Sequence, residues 1–469
     1  MLTYSFANIG SDSLYEYLYK CMKNDIEQGV LVPHTKLPSK RSFAKNLGIS
    51  TITVENAYGQ LMSEGYIYSI PKKGYYVTDF QKVQRKSATQ KPPGQVPPVQ
   101  ATDRYLADFT SNQMDPHLFP FSVWAKISRE LLSNCQKELL VPPPCGGILV
   151  LREAIAKHLK EFRGMNVEPQ QIIVGAGTEY LYGLLLQLLG FEKCYAIEDP
   201  GYDKISKIYQ CHKAACIPIP MDQAGVSIEA LEEQGIDVVH ISPSHHFPTG
   251  IIMPISRRYE LLGWAAKSDS RYIIEDEYDS EFRMSGRPIP SLQSIDVQEK
   301  VIYMNTFTKT LSSTIRISYM VLPKHLVNLY YNKLSFYSCT VSNFEQYTLA
   351  HFLSEGYFEK HINRMRNYYH KKRDLLLETI AKSPLSSYVT ISEEDAGLHF
   401  LLTIRTKQED AVLQQKLYQA GIKLSYLSQY YHVPPNDCSH VFIINYSSVP
   451  EEVMEEAIQR IYESVRGTD

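Results

Sequence analysis

The sequence has no run of about 18 apolar residues, the length that a membrane-crossing helix needs. Its most apolar stretch, residues 181–189, is short and carries Gln187. The N-terminus, MLTYSFANIGSDSLYEYL, lacks a basic segment followed by an apolar core, so no secretory leader is read there. None of the eight cysteines stands in a CxxC pair, which argues against a zinc site or a disulfide framework and for reduced, structural thiols. A dominant charge is missing too. Lys and Arg total 48 against 51 Asp and Glu, a formal net charge of −3; this excludes coating of nucleic acid or anionic membrane by bulk charge and leaves room for one small basic face. The expectation is a cytoplasmic protein without membrane association or a metal.

What is present is material for large cores. At about 150 residues per domain, 469 residues make two or three domains. With 44% hydrophobic and 21% charged residues, global disorder is excluded. The clearest boundary is residues 80–104, FQKVQRKSATQKPPGQVPPVQATDR, which are almost empty of large apolar side chains. Such a segment cannot build a core and reads as a flexible linker able to span up to ~80 Å when extended. It separates a small domain, 1–79, from a large one, 105–469.

Ahead of the linker, Leu14, Leu18, Met22 and Ile26 fall four apart and mark one face of a helix. Pro38 and Ser39 start a second helix, with Phe43, Ala44 and Leu47 on one face and Gly48 as its stop. Ser50 reads as the N-cap of a third, whose buried face is Val54, Ala57, Tyr58, Leu61 and Met62 and which Gly65 ends. YIYSIPKKGYYV then gives two β-prone runs around Pro71, Lys72, Lys73 and Gly74, a hairpin. Helix, helix, short turn, helix, hairpin is the order of a winged helix-turn-helix. The third helix offers Thr51, Thr53, Glu55, Asn56 and Gln60 to solvent, side chains able to reach base edges or phosphates from a major groove. Lys40 and Arg41 open the preceding helix, and Lys72 and Lys73 stand at the wing tip, where backbone phosphates would be met. The candidate contacts to double-stranded DNA are therefore Lys40, Arg41, Ser50, Thr51, Thr53, Asn56, Lys72 and Lys73. The string LPSKRSFAKNLGISTITVENAYGQLMSEGYI resembles the GntR-type winged helix, and the likeness covers most of residues 10–78. Many GntR proteins carry arginines early in the recognition helix where Thr51 and Glu55 stand here, so no base preference is carried over.

After the linker, QIIVGAGT, CYAIEDPGY, DVVHISPS, RYIIEDEY, VIYMNTF and ISYMVLP are continuously apolar runs separated by helical segments. Strands of that kind are buried on both faces of a parallel sheet, and their spacing suits crossover connections. From about residue 328 the chain is first helical and then carries LHFLLTI and VFIINYS, a smaller α+β subdomain.

Within this α/β region several groups could hold a phosphorylated aldehyde. TFTKTLSSTIR supplies Lys309, an amine able to form a Schiff base, with Thr306, Thr308 and Arg316 around it. IIEDEYDSEF, at the end of a buried strand, supplies Asp276 for a pyridinium proton and Tyr278 for a ring oxygen. GAGT, residues 175–178, joins a strand to a helix whose N-terminus favours a phosphate, and Tyr202 in EDPGY is placed to stack on a ring. Singly, each has a commoner structural explanation. In this order they resemble the class I aminotransferases, the fold type I enzymes of pyridoxal 5'-phosphate (PLP).

A winged GntR-like domain, a Pro-rich linker and an aminotransferase-like domain in this order resemble the MocR/GabR family of bacterial transcription regulators. SPSHHFPTG, residues 242–250, adds to the likeness: the family carries PSHQFPxG, with Gln where His246 stands here. Aminotransferases proper read NPTG, and Phe247 occupies the place of that asparagine. The resemblance implies an internal aldimine at Lys309, with Asp276 on the pyridine nitrogen, Tyr278 on the 3-oxygen and Tyr202 on the ring face. It implies phosphate contacts from Ala176, Gly177, Thr178, Thr306, Thr308 and Arg316, and a head-to-tail, domain-swapped homodimer. Aminotransferases and γ-aminobutyrate-sensing members also clamp the ligand carboxylate with an arginine near IINYSSVPEE, where this chain has Ser447 or Ser448. A second effector-binding arginine appears as Lys204.

The function so implied is a PLP-dependent transcription regulator rather than an enzyme, and two effectors compete. One is PLP itself, which the missing arginine favours. The other is an amine or amino acid anchored through Lys204 or Arg405. A working aminotransferase with an appended DNA-binding module is the alternative.

Overall fold

A computed structural model of the chain describes residues 2–6, 9–79, 105–282, 289–395, 397–435 and 438–466. The linker read at 80–104 lies outside the described residues. Two compact units divide the chain near residue 101.

The first unit contains α1 (Leu14–Glu27), α2 (Lys40–Leu47), α3 (Thr51–Ser63), β1 (Ile67–Ile70) and β2 (Gly74–Val77). Its helices begin where side chains replace missing backbone acceptors. Ser39 accepts the Ser42 N–H and Ser50 the Thr53 N–H, and Gly48, at φ 69°, ends α2 in a left-handed turn. Leu18, Met22 and Ile26 of α1 meet Phe43 and Ala44 of α2, Val54, Ala57, Tyr58 and Leu61 of α3, and Ile67 and Val77 of the hairpin in one core. Leu14 and Met62, read as core-facing, are 44% and 43% exposed; they lie in the outermost turns of their helices.

The second unit runs through β3 (Ala107–Asp108), α4 (Phe121–Asn134), α5 (Gln136–Leu140), α6 (Leu149–Arg163), β4 (Ile172–Gly175), α7 (Thr178–Leu189), β5 (Cys194–Asp199) and α8 (Asp203–Cys211). It continues with β6 (Ala215–Asp222), β7 (Gly225–Val226), α9 (Ile228–Glu233), β8 (Val238–Ile241), α10 (Ile255–Ala266), β9 (Tyr272–Glu277), α11 (Leu292–Ile295), β10 (Val301–Thr306) and β11 (Ser318–Val321). Then follow α12 (Lys324–Leu334), α13 (Asn343–Ser354), α14 (Tyr357–Lys382), β12 (Val389–Ser392), β13 (His399–Ile404), α15 (Asp410–Gln419), β14 (Ile422–Lys423), β15 (Ser425–Tyr426), β16 (Val441–Asn445) and α16 (Met454–Arg466).

Eight strands form the large sheet in the order β4-β11-β10-β9-β8-β5-β6-β7. From β10 to β6 the neighbours are parallel. β11 is the exception, antiparallel to β10 and β4, because the short connection from Phe307 carries no crossover helix. This corrects the expectation that ISYMVLP is one more crossover-linked strand. β6 was invisible in the sequence because Pro218 and Pro220 interrupt it; with only the two-residue β7 beyond it, it tolerates missing donors.

The small subdomain holds the sheet β12-β13-β16-β15, and β14 pairs with β3. Its core begins within α14 at Met365 and takes in Ala107 and Phe109. Residues read into it from 328 pack elsewhere: Tyr330 and Leu334 lie against α7, and Leu349, Phe352 and Phe358 in the core under β4 and α6. Among the described residues no helix is long and apolar enough to cross a membrane.

Candidate cofactor site and nucleic-acid face

Ligands of open α/β sheets lie beyond the carboxyl ends of the parallel strands, and there a cavity of about 360 Å³ opens. Gly177, Thr178, Tyr202, Asp276, Tyr278, Thr306, Thr308, Lys309 and Arg316 all line it, together with Lys204. Ala176 is absent from its wall, and its N–H donates instead to Thr340 Oγ1 at 2.9 Å. Arg405 is also elsewhere: its guanidinium donates to the Ser387 carbonyl on the small subdomain.

Lys309 follows β10 and is held in place by donating from Nζ to the Asn112 carbonyl at 3.1 Å. Burial lowers its pKa to about 8, only partly opposed by Asp279, so about a fifth of the amine is neutral near physiological pH, far more than for an exposed lysine. Asp276, near the end of β9, has two unlike oxygens. Oδ2 accepts the Tyr182 hydroxyl and lies 3.3 Å from His240 Nε2, while Oδ1 is buried without a hydrogen-bond partner. Tyr209 fixes His240 from the other side, at 2.8 Å from Nδ1. A buried carboxylate oxygen without a partner is costly, and a ring N–H from a ligand would satisfy it. Tyr278 Oη lies 3.2 Å from His245 Nδ1, which is itself 2.8 Å from Asp279 Oδ2. Burial raises the Tyr278 pKa well above the ordinary value, so the phenol keeps its proton.

The opposite end is built for an anion. Gly177 has φ 95°, and a Cβ there would stand 2.5 Å from Arg316 Nη2, so only glycine lets the guanidinium approach the start of α7. Thr306 accepts from the Ser318 hydroxyl and the Thr308 N–H and donates to Thr308 Oγ1, which fixes the threonine hydroxyls at that edge. Glu179 closes the group by pairing with Lys204 and lying 3.5 Å from Arg316. Together these residues fit pyridoxal phosphate: an acceptor for the ring nitrogen, a phenol for the ring oxygen, an amine of lowered pKa, and a guanidinium at a helix N-terminus for the phosphate.

On the winged unit, Arg41, Thr51, Asn56, Lys72 and Lys73 are exposed. Lys40 is engaged within the unit, its Nζ 2.6 Å from Glu55 Oε1 and 5.6 Å from the Tyr75 ring centre. Ser50 and Thr53 spend their hydroxyls on the α3 cap, 2.8 Å from each other. The sequence reading passed over Ile52, which is 69% exposed in the first turn of α3.

Residues 14–77 match the family described as Bacterial regulatory proteins, gntR family, and residues 106–461 that of Aminotransferase class I and II. The chain is 39% identical to the uncharacterized HTH-type transcriptional regulator YdeL of Bacillus subtilis, covering 96% of both chains. It is 31% identical to the probable rhizopine catabolism regulatory protein MocR of Rhizobium meliloti, over 96% of this chain and 93% of the relative. The chain belongs to the MocR family of transcription regulators. Its large unit is similar to the crystal structure of Pyrococcus horikoshii kynurenine aminotransferase in complex with PMP, with a TM-score of 0.68 and 25% identity over 78% of this chain and 91% of that one. The cofactor of this MocR-family chain is pyridoxal phosphate.

Against that background the departures gain meaning. Ser447 and Ser448, where a carboxylate clamp would stand, point their hydroxyls at the carbonyls of Gln113 and of Asp108 and Ser111. Phe247 meets Tyr202 edge-on at 6.1 Å and Tyr430 at 5.1 Å, an apolar rim in place of an amide. His246 lies 3.5 Å from Glu198 at the cavity wall. Burial pushes Glu198 up to about 8 and His246 down to about 3, so at neutral pH the contact joins two uncharged groups. Tyr182 and His240 were also missed. Tyr182 is hidden in a Leu-rich helix and His240 in an apolar strand, and only the fold brings both to Asp276.

Proposed function

We propose that this regulator couples the state of its Lys309 pocket to DNA affinity, with PLP itself as the signal, in a cytoplasmic, domain-swapped homodimer. The observation that carries the choice of effector is the clamp position: Ser447 and Ser448 are small and neutral, and Lys204 is already paired with Glu179. An amino-acid carboxylate therefore lacks the bidentate guanidinium that would hold it. Exposed Phe121, Leu140, Val141 and Phe336, each at least 60% accessible, support burial against a second copy.

When bound, pyridoxal phosphate supplies an aldehyde that condenses with primary amines. Asp276 Oδ1 would accept the ring N–H, Tyr278 would donate to the ring oxygen, and Arg316 with the amides at the start of α7 would hold the phosphate. Tyr202 would cover the ring face, and Phe247 and Tyr430, packed edge-on beside it, would exclude water there. Lys309 has one further contact that matters. Its bond to Asn112 anchors the segment from Leu106 to Gln113, which follows the linker directly and binds Gly421, Lys423, Asn445 and Ser447 of the small subdomain. Engaging the amine elsewhere releases that anchor, giving the pocket a physical route to the linker.

The test is DNA binding by the full chain titrated with PLP alone and with PLP plus an amine panel. A change with PLP alone is expected; none would sink PLP as the signal. The enzyme reading draws on the lowered pKa of the Lys309 amine, and sustained turnover of any amino donor with a 2-oxo acid would establish it instead.

A further inference from the structure

We propose that Ile52 is a base-reading residue that packs against the 5-methyl group of a thymine in the major groove of the operator. The inference rests on the DNA-binding reading of the winged unit and adds what its recognition helix recognises. Ile52 is 69% exposed in the first turn of α3, while Val54, Ala57, Tyr58 and Leu61 on the opposite face are fully buried. It is the one large apolar side chain in that turn left in water, and its β-branch restricts χ1, so little freedom is lost on docking.

The neighbours narrow what this face can read. Glu55, which could accept from a cytosine amine, is bound to Lys40 at 2.6 Å, and the Ser50 and Thr53 hydroxyls are held by the helix cap. Thr51 and Asn56 remain exposed beside Ile52. A Cβ added at Gly59, two turns on, would meet nothing within 4 Å, so the face has no side chain there to hold the helix away from a groove. Exposed Arg41 and, at the wing tip, Lys72 and Lys73 give the unit cations to hold the phosphates of a duplex. Of the base edges in the major groove, thymine alone presents a methyl group, and an isolated isoleucine among polar residues matches it.

The experiment starts with selection of a binding sequence by the full-length, cofactor-loaded protein from a random duplex library. Each thymine of that sequence is then replaced singly by deoxyuridine, which removes the methyl and keeps the pairing. One thymine per half-site should lose roughly fourfold in affinity, the effect of one buried methyl group. In I52A that position should become insensitive, and in I52V, which keeps a branched apolar tip, it should stay sensitive. Alanine at an exposed helical position preserves the fold. A selected sequence with no methyl-dependent thymine, or an I52A protein that keeps the dependence, overturns the inference alone. Failure to select any sequence overturns the operator-binding reading with it.

Discussion

At the scale of single residues, Lys309 sets the sharpest expectation. Only a neutral amine attacks an aldehyde, and burial brings the Lys309 pKa down to about 8 from an ordinary lysine value near 10.4. The sign follows directly: below pH 8 the ammonium dominates and association with PLP slows about tenfold per pH unit, whereas above pH 8 the rate levels off. Stopped-flow growth of the visible cofactor band across pH 6.5–9.5, an interval of about three units around that pKa, distinguishes this from a solvent-exposed lysine, whose rate would still be climbing at the upper end. Lys309→Ala should give no such band at any pH. A band of full amplitude in that variant would move the attachment to another amine. Glu179 is the residue whose part was least legible beforehand, since a glutamate in the first turn of a helix reads as ordinary dipole compensation. Only the fold shows it between Lys204 and Arg316.

At the scale of elements, the winged unit was readable because local chemistry fixes its boundaries. Ser39, Gly48 and Ser50 act where the sequence places them, as caps and stop. Removing one cap should therefore be a local event. Ser39→Ala leaves the Ser42 N–H without its acceptor and costs about 1 kcal/mol. Hydrogen exchange across α2 should quicken about fivefold, with the cofactor band unchanged. An equal increase across α14 would mean that the substitution acts through global unfolding and not through the cap. Long-range pairing, by contrast, was beyond local reading. β6 is a strand because β5 lies beside it, prolines included, and β11 runs antiparallel because nothing of helical length precedes it. The small subdomain likewise starts later than its composition suggests, since α12 packs against α7 and α13 against α4 and α6 of the large domain. The polar constellation at the strand ends was legible through its resemblance to the class I aminotransferases, and the cavity brings Lys309, Asp276, Tyr278, Tyr202 and Arg316 together. The buried shell behind it, Tyr182, His240 and Tyr209, looked like ordinary core.

At the scale of the whole molecule, a chain of net charge −3 has to bind a polyanion through a few placed cations. Arg41, Lys72 and Lys73 are exposed in the winged unit, and doubling in the proposed homodimer would give about six phosphate contacts and a slope of log affinity on log salt near −5. Lys73→Ala, losing one contact per subunit, should make that slope shallower by about 2. Lys40→Ala behaves differently, because its ammonium is held 2.6 Å from Glu55 and releases no counterion on binding. Its removal frees the Glu55 carboxylate beside the duplex, so affinity falls at every salt concentration while the slope stays near −5. Binding isotherms for the three proteins from 50 to 300 mM salt, a range of about sixfold around physiological ionic strength, separate these behaviours. A slope change for Lys40→Ala as large as that for Lys73→Ala would show that Lys40 leaves Glu55 for a phosphate when the helix enters the groove.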